Sequence, residues 1–248
     1  PTWEIFLDRL REFLSLCRKF RLQISVKKTS FAALEVVFCG RRINGVGYTL
    51  LPRNVDAFKL MQIPAKAGQL SQFIMGINWM KDTLYPGESD PGPTVTNSEH
   101  YLVNNSFAAL STPLWSILDK CYEVANSTKK RKYQNILLKD VGWNDVHTTA
   151  FNAIKSKLDT LIRLTYPVRG AKFCLHTDAS DDFYALMLTQ VLEWTEGLLV
   201  HEQKHLPLAV MSGRFRHSER NWRIGEKEAY PIILAITEWE YLIRSNPD

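Results

Sequence analysis

The sequence has few residues able to make covalent or metal–thiolate staples. Its four cysteines (Cys17, Cys39, Cys121, Cys174) stand far apart among 248 residues and form no CxxC pair. This argues against a disulfide framework and a zinc–thiolate site, and fits a reducing intracellular compartment. No apolar run reaches the ~18 residues of a membrane span, and no signal-peptide pattern is present, so no membrane partner is expected. Glycine (12) and proline (11) are too few for a collagen-like chain. There is no internal repeat and no low-complexity tract. What is present is 45% hydrophobic and 23% charged residues, the composition of a globular chain with one or two domains and a sizeable core.

Charge is placed unevenly. Residues 1–66 hold 12 Lys/Arg against 5 Asp/Glu, whereas the whole chain is only +5. A basic N-terminal part suggests a polyanionic partner, nucleic acid first, although a solvated basic face would look the same.

Apolar residues at Phe6, Leu7, Leu10, Phe13, Leu14 and Cys17 have helical spacing and predict a helix over 3–20. Two strands are expected at 22–26 and 34–39, then a hairpin around Gly40, Asn44, Gly45 and Gly47. Pro52 fits the first turn of a helix running to about Gln62. Helices are expected over 69–81, 107–120 and 145–162, with an exposed loop at 85–99 carrying PGESDPGPT. Beyond Pro167 come strands at 171–177, 184–191 and 206–212 and a closing helix over 225–244.

Two carboxylates in this last part carry chemistry. Asp178 follows a strand in LHTDAS, and Glu228 sits near the start of the terminal helix in EKEAYPIILAI. Such a pair can converge on Mg²⁺, which takes hard oxygen ligands, and two such ions activate water for phosphodiester hydrolysis. The alternative is a surface Asp in a turn and a Glu favoured by the helix dipole. His176 is expected on the face opposite Asp178 and is read as structural. A competing pattern is HEQKH: His201, Glu202 and His205 match the zinc-peptidase HExxH, which needs both histidines one helical turn apart. Pro207 and the lack of a convincing third ligand favour a polar loop between the second and third strands.

In order along the chain stand VKKTSF, VVFCGRRINGVG, IPAKAGQLSQFIMGINWM, STPLWSIL, GWNDVHTTAFNAIKSKL, FCLHTDAS, LTQV, HLPLAVMSGRF, SERNW and EKEAYPIILAI. Together they resemble the Pol polyprotein of gypsy-class LTR retrotransposons, from just after the polymerase active site into the ribonuclease H (RNase H) domain. Single motifs are short; their order is what is specific. The resemblance implies an α+β chain in three parts. Residues 1–63 would be the end of a reverse-transcriptase palm, 64–166 a helical thumb and connection, and 167–248 a truncated RNase H-like sheet with one packed helix. It also implies site residues. Asp178 and Glu228 would be catalytic and metal-binding in a two-Mg²⁺ site, with Glu226 the lesser choice. Lys28 would lie near the incoming nucleotide. Phe38, Cys39 and Gly40 would form the primer grip, and Lys27, Arg41 and Arg42 would flank the template–primer.

Several family features are missing. The YxDD aspartates would precede Pro1, and the third and fourth RNase H aspartates would follow Asp248. Asp181, Asp182, Phe183 and Tyr184 stand where the family often has glycines, and Thr29 replaces a cysteine. The resemblance therefore implies RNA-directed DNA synthesis and endonucleolytic hydrolysis of RNA in RNA–DNA hybrids for the parent protein, with this chain alone expected to be inactive. Implied partners are the template–primer or hybrid and the rest of Pol, within a retroelement particle in the cytoplasm or nucleus. A non-enzymatic nucleic-acid-binding module derived from such an element is the alternative.

Overall fold

The computed structural model describes residues 2–84, 101–159 and 161–244. The expected loop at 85–99 lies outside the described residues. The chain divides into two compact units, 1–35 and 36–248. No helix among the described residues is long and apolar enough to cross a membrane.

In the first unit, helix α1 (Trp3–Lys19) starts where the Thr2 hydroxyl accepts from the Ile5 N–H at 3.5 Å. Asp8–Arg11 and Arg9–Glu12 pairs line its polar side. Its apolar stripe stays largely exposed at Phe13, Leu14 and Leu16, and Cys17 is the one buried residue of the helix. The strand expected at 22–26 does not form. Val26–Lys28 make a 3₁₀ turn, closed by the Thr29 hydroxyl donating to the Ser25 carbonyl at 2.7 Å. A threonine bonding to a nearby carbonyl offers the backbone a local alternative to strand pairing.

The second unit opens with a four-stranded sheet in the order β1 (Glu35–Phe38), β2 (Arg41–Asn44), β3 (Gly47–Leu50), β4 (Leu164–Thr165). Strands β2 and β3 form the expected hairpin, with Ile43 opposite Tyr48. The Asn44 carboxamide oxygen accepts from the Val46 and Gly47 N–H groups at 3.0 and 3.3 Å, which fixes the turn. β4 was not legible beforehand, because two residues show no periodicity. It pairs with β3 through Gly47↔Thr165 and Tyr48↔Leu164.

The helical layer comprises α2 (Pro52–Lys59), α3 (Ala67–Met80), α4 (Tyr101–Asn104), α5 (Phe107–Ala125), α6 (Lys130–Tyr133) and α7 (Asp145–Lys157). Leu70, Phe73, Ile74, Ile77 and Met80 fall on one stripe of α3. They bury against Leu114, Ile117, Leu118 and Cys121 of α5 and Phe151 and Ile154 of α7. The Phe73 and Phe151 ring centroids are 4.3 Å apart at the centre of this core.

The last strands are β5 (Lys172–Ala179), β6 (Phe183–Val191) and β7 (Leu206–Arg214), an antiparallel sheet in that order. Helix α8 (Ile224–Glu238) follows, then a short α9 (Glu240–Ile243). The expected single helix breaks at buried Trp239, whose backbone leaves the helical region (φ −110°, ψ 18°). Leu234, Ala235 and Trp239 pack on one sheet face against Phe173, Leu175, Leu186 and Leu188. On the other face Ala185 packs with Leu102 and Val103 of α4. β6 is covered on both faces, which is why it reads as a continuous apolar run rather than an alternating one. Its Gln190 is fully buried yet satisfied. The amide nitrogen donates to the Thr165 hydroxyl (3.0 Å) and the Tyr166 carbonyl (2.8 Å), and the amide oxygen accepts from the Val168 N–H (2.9 Å).

Candidate functional site

Between β1 and β2 the chain reverses in two residues, Cys39 (φ 47°) and Gly40 (φ 75°). Two successive positive φ values are the mark of a type I′ hairpin turn, which matches the natural twist of the paired strands. Gly40 is required twice over. A Cβ there would sit 2.8 Å from the Trp79 ring and 2.6 Å from the Asn54 amide nitrogen. Its carbonyl accepts from the Leu51 N–H at 3.1 Å. Phe38 and Cys39 project into solvent at the tip.

Arg41 does not stand free. Its guanidinium pairs with Asp82 at 2.9 Å and lies over the rings of Tyr48 (4.8 Å) and Trp79 (5.4 Å). Burial, and then the Asp82 charge, push the Tyr48 hydroxyl up from its ordinary pKa. Arg42 is exposed on the same strand, whereas Lys27 and Lys28 belong to the first unit, on its 3₁₀ turn. Sequence reasoning missed Trp79, Asp82 and Asn54, which brace this hairpin from 14 to 41 residues away. Nothing local in the sequence signals such braces.

Asp178 lies at the end of β5, opposite Ala185 and on the α4 face of the sheet. Its carboxylate accepts from the Val103 N–H at 2.9 Å. Glu228 lies in the second turn of α8, whose packing face covers the other side of the sheet. A helix crossing the same face as Asp178 is therefore not what brings the two elements together. They share an end of the sheet instead. Lys227, only 4% exposed, donates its ammonium to the Asp181 carbonyl at 2.9 Å, in the turn between β5 and β6. Arg220 pairs with Asp182 in the same turn. These two cations tie the chain just after Asp178 to the chain around Glu228, a link the sequence did not disclose. Glu226 is engaged otherwise, accepting from the Arg223 N–H at 2.8 Å to cap α8.

Two carboxylates are donors of the kind Mg²⁺ takes, but among the described residues no group of three or more His, Cys, Asp or Glu is placed to hold a metal ion. The donor set suits the ion in type and supplies only part of a ligand shell.

One expectation about the histidines is corrected. His176 and Asp178 share a face, since residues two apart on a strand point the same way; their cross-strand partners are Met187 and Ala185. The HEQKH segment is not helical as HExxH chemistry requires. Val200–Glu202 form a 3₁₀ turn and Gln203 is extended. The Glu202 carboxylate accepts from the Leu199 N–H at 2.8 Å. His205 is buried, and its Nε2 donates to the Val200 carbonyl at 2.6 Å, so its Nδ1 accepts from the Thr189 hydroxyl at 2.7 Å. The segment is the polar loop between β6 and β7.

His176 stacks edge-on to His205 with ring centroids 5.0 Å apart. Burial, reinforced by His205, holds its pKa down at about 4. In the unfolded chain a histidine titrates near 6.5. Between those values the unfolded state binds the extra proton, so stability falls as pH drops from about 6.5 towards 4 and is level above that window. Thermal melts at pH 7 and pH 5 are expected to show a lower melting temperature at pH 5. His176→Phe is expected to reduce that difference; an unchanged difference would remove His176 as its source.

Residues 143–247 match a family model described as the RNase H-like domain found in reverse transcriptase. The Pol polyprotein of transposon 412 from Drosophila melanogaster is 24% identical over 230 residues, 93% of this chain and 15% of that polyprotein. The genome polyprotein of Petunia vein clearing virus is 24% identical over 249 residues, 99% of this chain and 9% of its own length. The chain resembles the reverse transcriptase–RNase H region of Pol polyproteins. It thus spans a small part of the curated relatives it matches, and those relatives include plant viruses as well as transposons, so the likeness does not single out the gypsy class. A foamy viral protease–reverse transcriptase in complex with RNA/DNA hybrid superposes with a TM-score of 0.59 at 18% identity, over 96% of this chain and 26% of that one. A second form in complex with double-stranded DNA gives 0.59 over 97% of this chain and 34% of that one. The fold is α+β, with an RNase H-like sheet in its C-terminal part.

Proposed function

We propose that this chain is the palm-end, thumb–connection and RNase H segment of a gypsy-class retroelement polymerase that copies RNA into DNA and hydrolyses RNA in RNA–DNA hybrids. Asp178 and Glu228 are its two contributions to a Mg²⁺ site. The observation that carries this reading is the Lys227–Asp181 contact, which ties the turn after Asp178 to the turn of α8 that holds Glu228. When bound, Mg²⁺ supplies Lewis acidity and a hydroxide-like water to a phosphodiester. The Val103 N–H holds the Asp178 carboxylate at the strand end, and Glu226 stays out of the site as the helix cap.

The exposed tip at Phe38 and Cys39, with Arg42 on the adjoining strand, supports the hairpin as a primer-holding element. Arg41 then acts by bracing this hairpin through Asp82. Lys27 and Lys28 add charge along the nucleic acid, and affinity should fall as salt rises. The setting is a retroelement particle inside the cell.

Hybrid cleavage tests the reading. The Pol polyprotein carrying this sequence should cut the RNA strand of a labelled RNA–DNA hybrid in Mg²⁺. Asp178→Asn or Glu228→Gln should reduce cleavage to background and leave hybrid binding within about twofold, since binding rests on phosphate contacts elsewhere. Residues 1–248 alone should bind hybrid without cutting it. Full cleavage by the Asp178→Asn protein, or cleavage by 1–248 that depends on Asp178, would overturn these assignments.

A further inference from the structure

A cavity of about 520 Å³ in the second unit runs beside β7, within the usual range for ligand sites. Every residue from 208 to 214 lines it. A pocket on a sheet face is lined by alternate residues, because side chains alternate between faces. A consecutive run places the cavity along the strand's edge. That edge is free of strand pairing, since β7 pairs with β6 alone among the described residues. β4 approaches its beginning, where the Thr165 hydroxyl donates to the Pro207 carbonyl at 2.9 Å, and Leu164 of β4 joins the groove lining. Tyr48, Lys81 and Tyr241 also line it.

Cations outnumber carboxylates in the groove lining by three to two. Lys81, Arg214 and Arg216 line it and are exposed, and none makes an ion pair within 4 Å among the described residues. Burial, and then the Glu123 charge, push the Asp119 carboxyl up from its ordinary pKa, with Arg214 acting the other way without pairing with it. Two carboxylates share the lining. Asp82 is paired with Arg41 at 2.9 Å, and Glu219 accepts from the Arg216 N–H at 2.7 Å.

We propose that the free edge of β7 is a docking groove for an extended acidic peptide, which adds a strand to the RNase H-like sheet and sets its carboxylates against Lys81, Arg214 and Arg216. Unpaired strand N–H and C=O groups supply the main-chain template, and the cations supply selection by charge. An edge template fits a peptide backbone, whose N–H and C=O groups repeat at the strand spacing; a nucleic-acid backbone has no matching donors.

The test uses the full chain and a fluorescein-labelled hexapeptide of alternating valine and glutamate, followed by fluorescence anisotropy. Saturable binding is expected, weakened about tenfold or more in Arg214→Glu/Arg216→Glu. Both positions are exposed, and unchanged melting curves would show that the variant is folded. Two further peptides carry N-methyl groups on the odd or on the even residues. One should lose binding and the other keep it, because only one set of N–H groups faces the strand. Equal binding by both methylated peptides would reduce the effect to charge attraction and overturn the proposal. So would the absence of saturable binding, or an oligo-dT strand that binds with the same arginine dependence while the peptide does not.

Discussion

Phe151→Ala is expected to lower the unfolding free energy of the second unit by about 3–5 kcal/mol, the usual cost of deleting a fully buried aromatic side chain. Phe151 is 1% exposed and faces Phe73 across 4.3 Å, where α3, α5 and α7 meet. The neighbours cannot collapse into the hole. Phe73 is held against Phe58 on its other side (6.3 Å), and Lys155 donates to the Met61 carbonyl at 2.8 Å, fixing α7 to the end of α2. Equilibrium unfolding in urea measures the loss. Phe151→Leu, which keeps most of the volume, should lose well under half as much. A change below about 1 kcal/mol in Phe151→Ala, the level of an average substitution, would mean that this helix junction is not the core.

Gly47→Val comes next in size. A Cβ at Gly47 would overlap the Leu164 carbonyl oxygen and lie 2.9 Å from the Thr165 Cα, both main-chain atoms of β4. Flexible side chains give way to such an intrusion; a paired backbone does not. β4 cannot retreat, because the Thr165 hydroxyl is bonded to Pro207 and accepts from Gln190. Overpacking of this kind costs about 1–3 kcal/mol, and the β3–β4 pairing is lost in addition. Hydrogen exchange gives a local readout, since the Tyr166 N–H donates to the Val46 carbonyl at 3.1 Å. That amide should exchange far faster in Gly47→Val. Gly45→Ala, two residues away with nothing within 4 Å of its Cβ, should leave it protected. Equal protection in both variants would contradict the pairing.

The contrast between these glycines shows where the sequence could be read. Periodicity located α3, α5 and α7, because each buries one stripe, and strand-length apolar runs between turn residues located β5–β7. The Gly40 region announced its hairpin through turn chemistry. By contrast β4 has two residues and no period, and the 3₁₀ turn at Val26–Lys28 hides behind residues that favour strands. The helix break at Trp239 is set by a buried ring, with no glycine or proline beside it to mark it. Asp178 and Glu228 were recognisable one at a time from their settings, LHTDAS and EKEAYPIILAI. The join between their neighbourhoods depends on Lys227 and Arg220, whose partners lie 46 and 38 residues away. Ordinary surface composition contains many such cations, so neither stood out. HEQKH is the opposite case: its letters fit a metal motif, Pro207 pointed instead to a loop, and His205 is buried with bonds to Thr189 and Val200.

Gln190 bears on where this chain could be cut and rejoined. Its three side-chain bonds reach back across the point, near residue 167, where a recombinant joint would look natural on paper. A chimera spliced there, with a foreign preceding segment, would strand an amide in the middle of the sheet unless the graft also brought residues 165–168. The match to the family model begins upstream of that point, at residue 143. The matched stretch includes α7 and β4, and a chimera joined before α7 should fold better than one joined at the strand that follows.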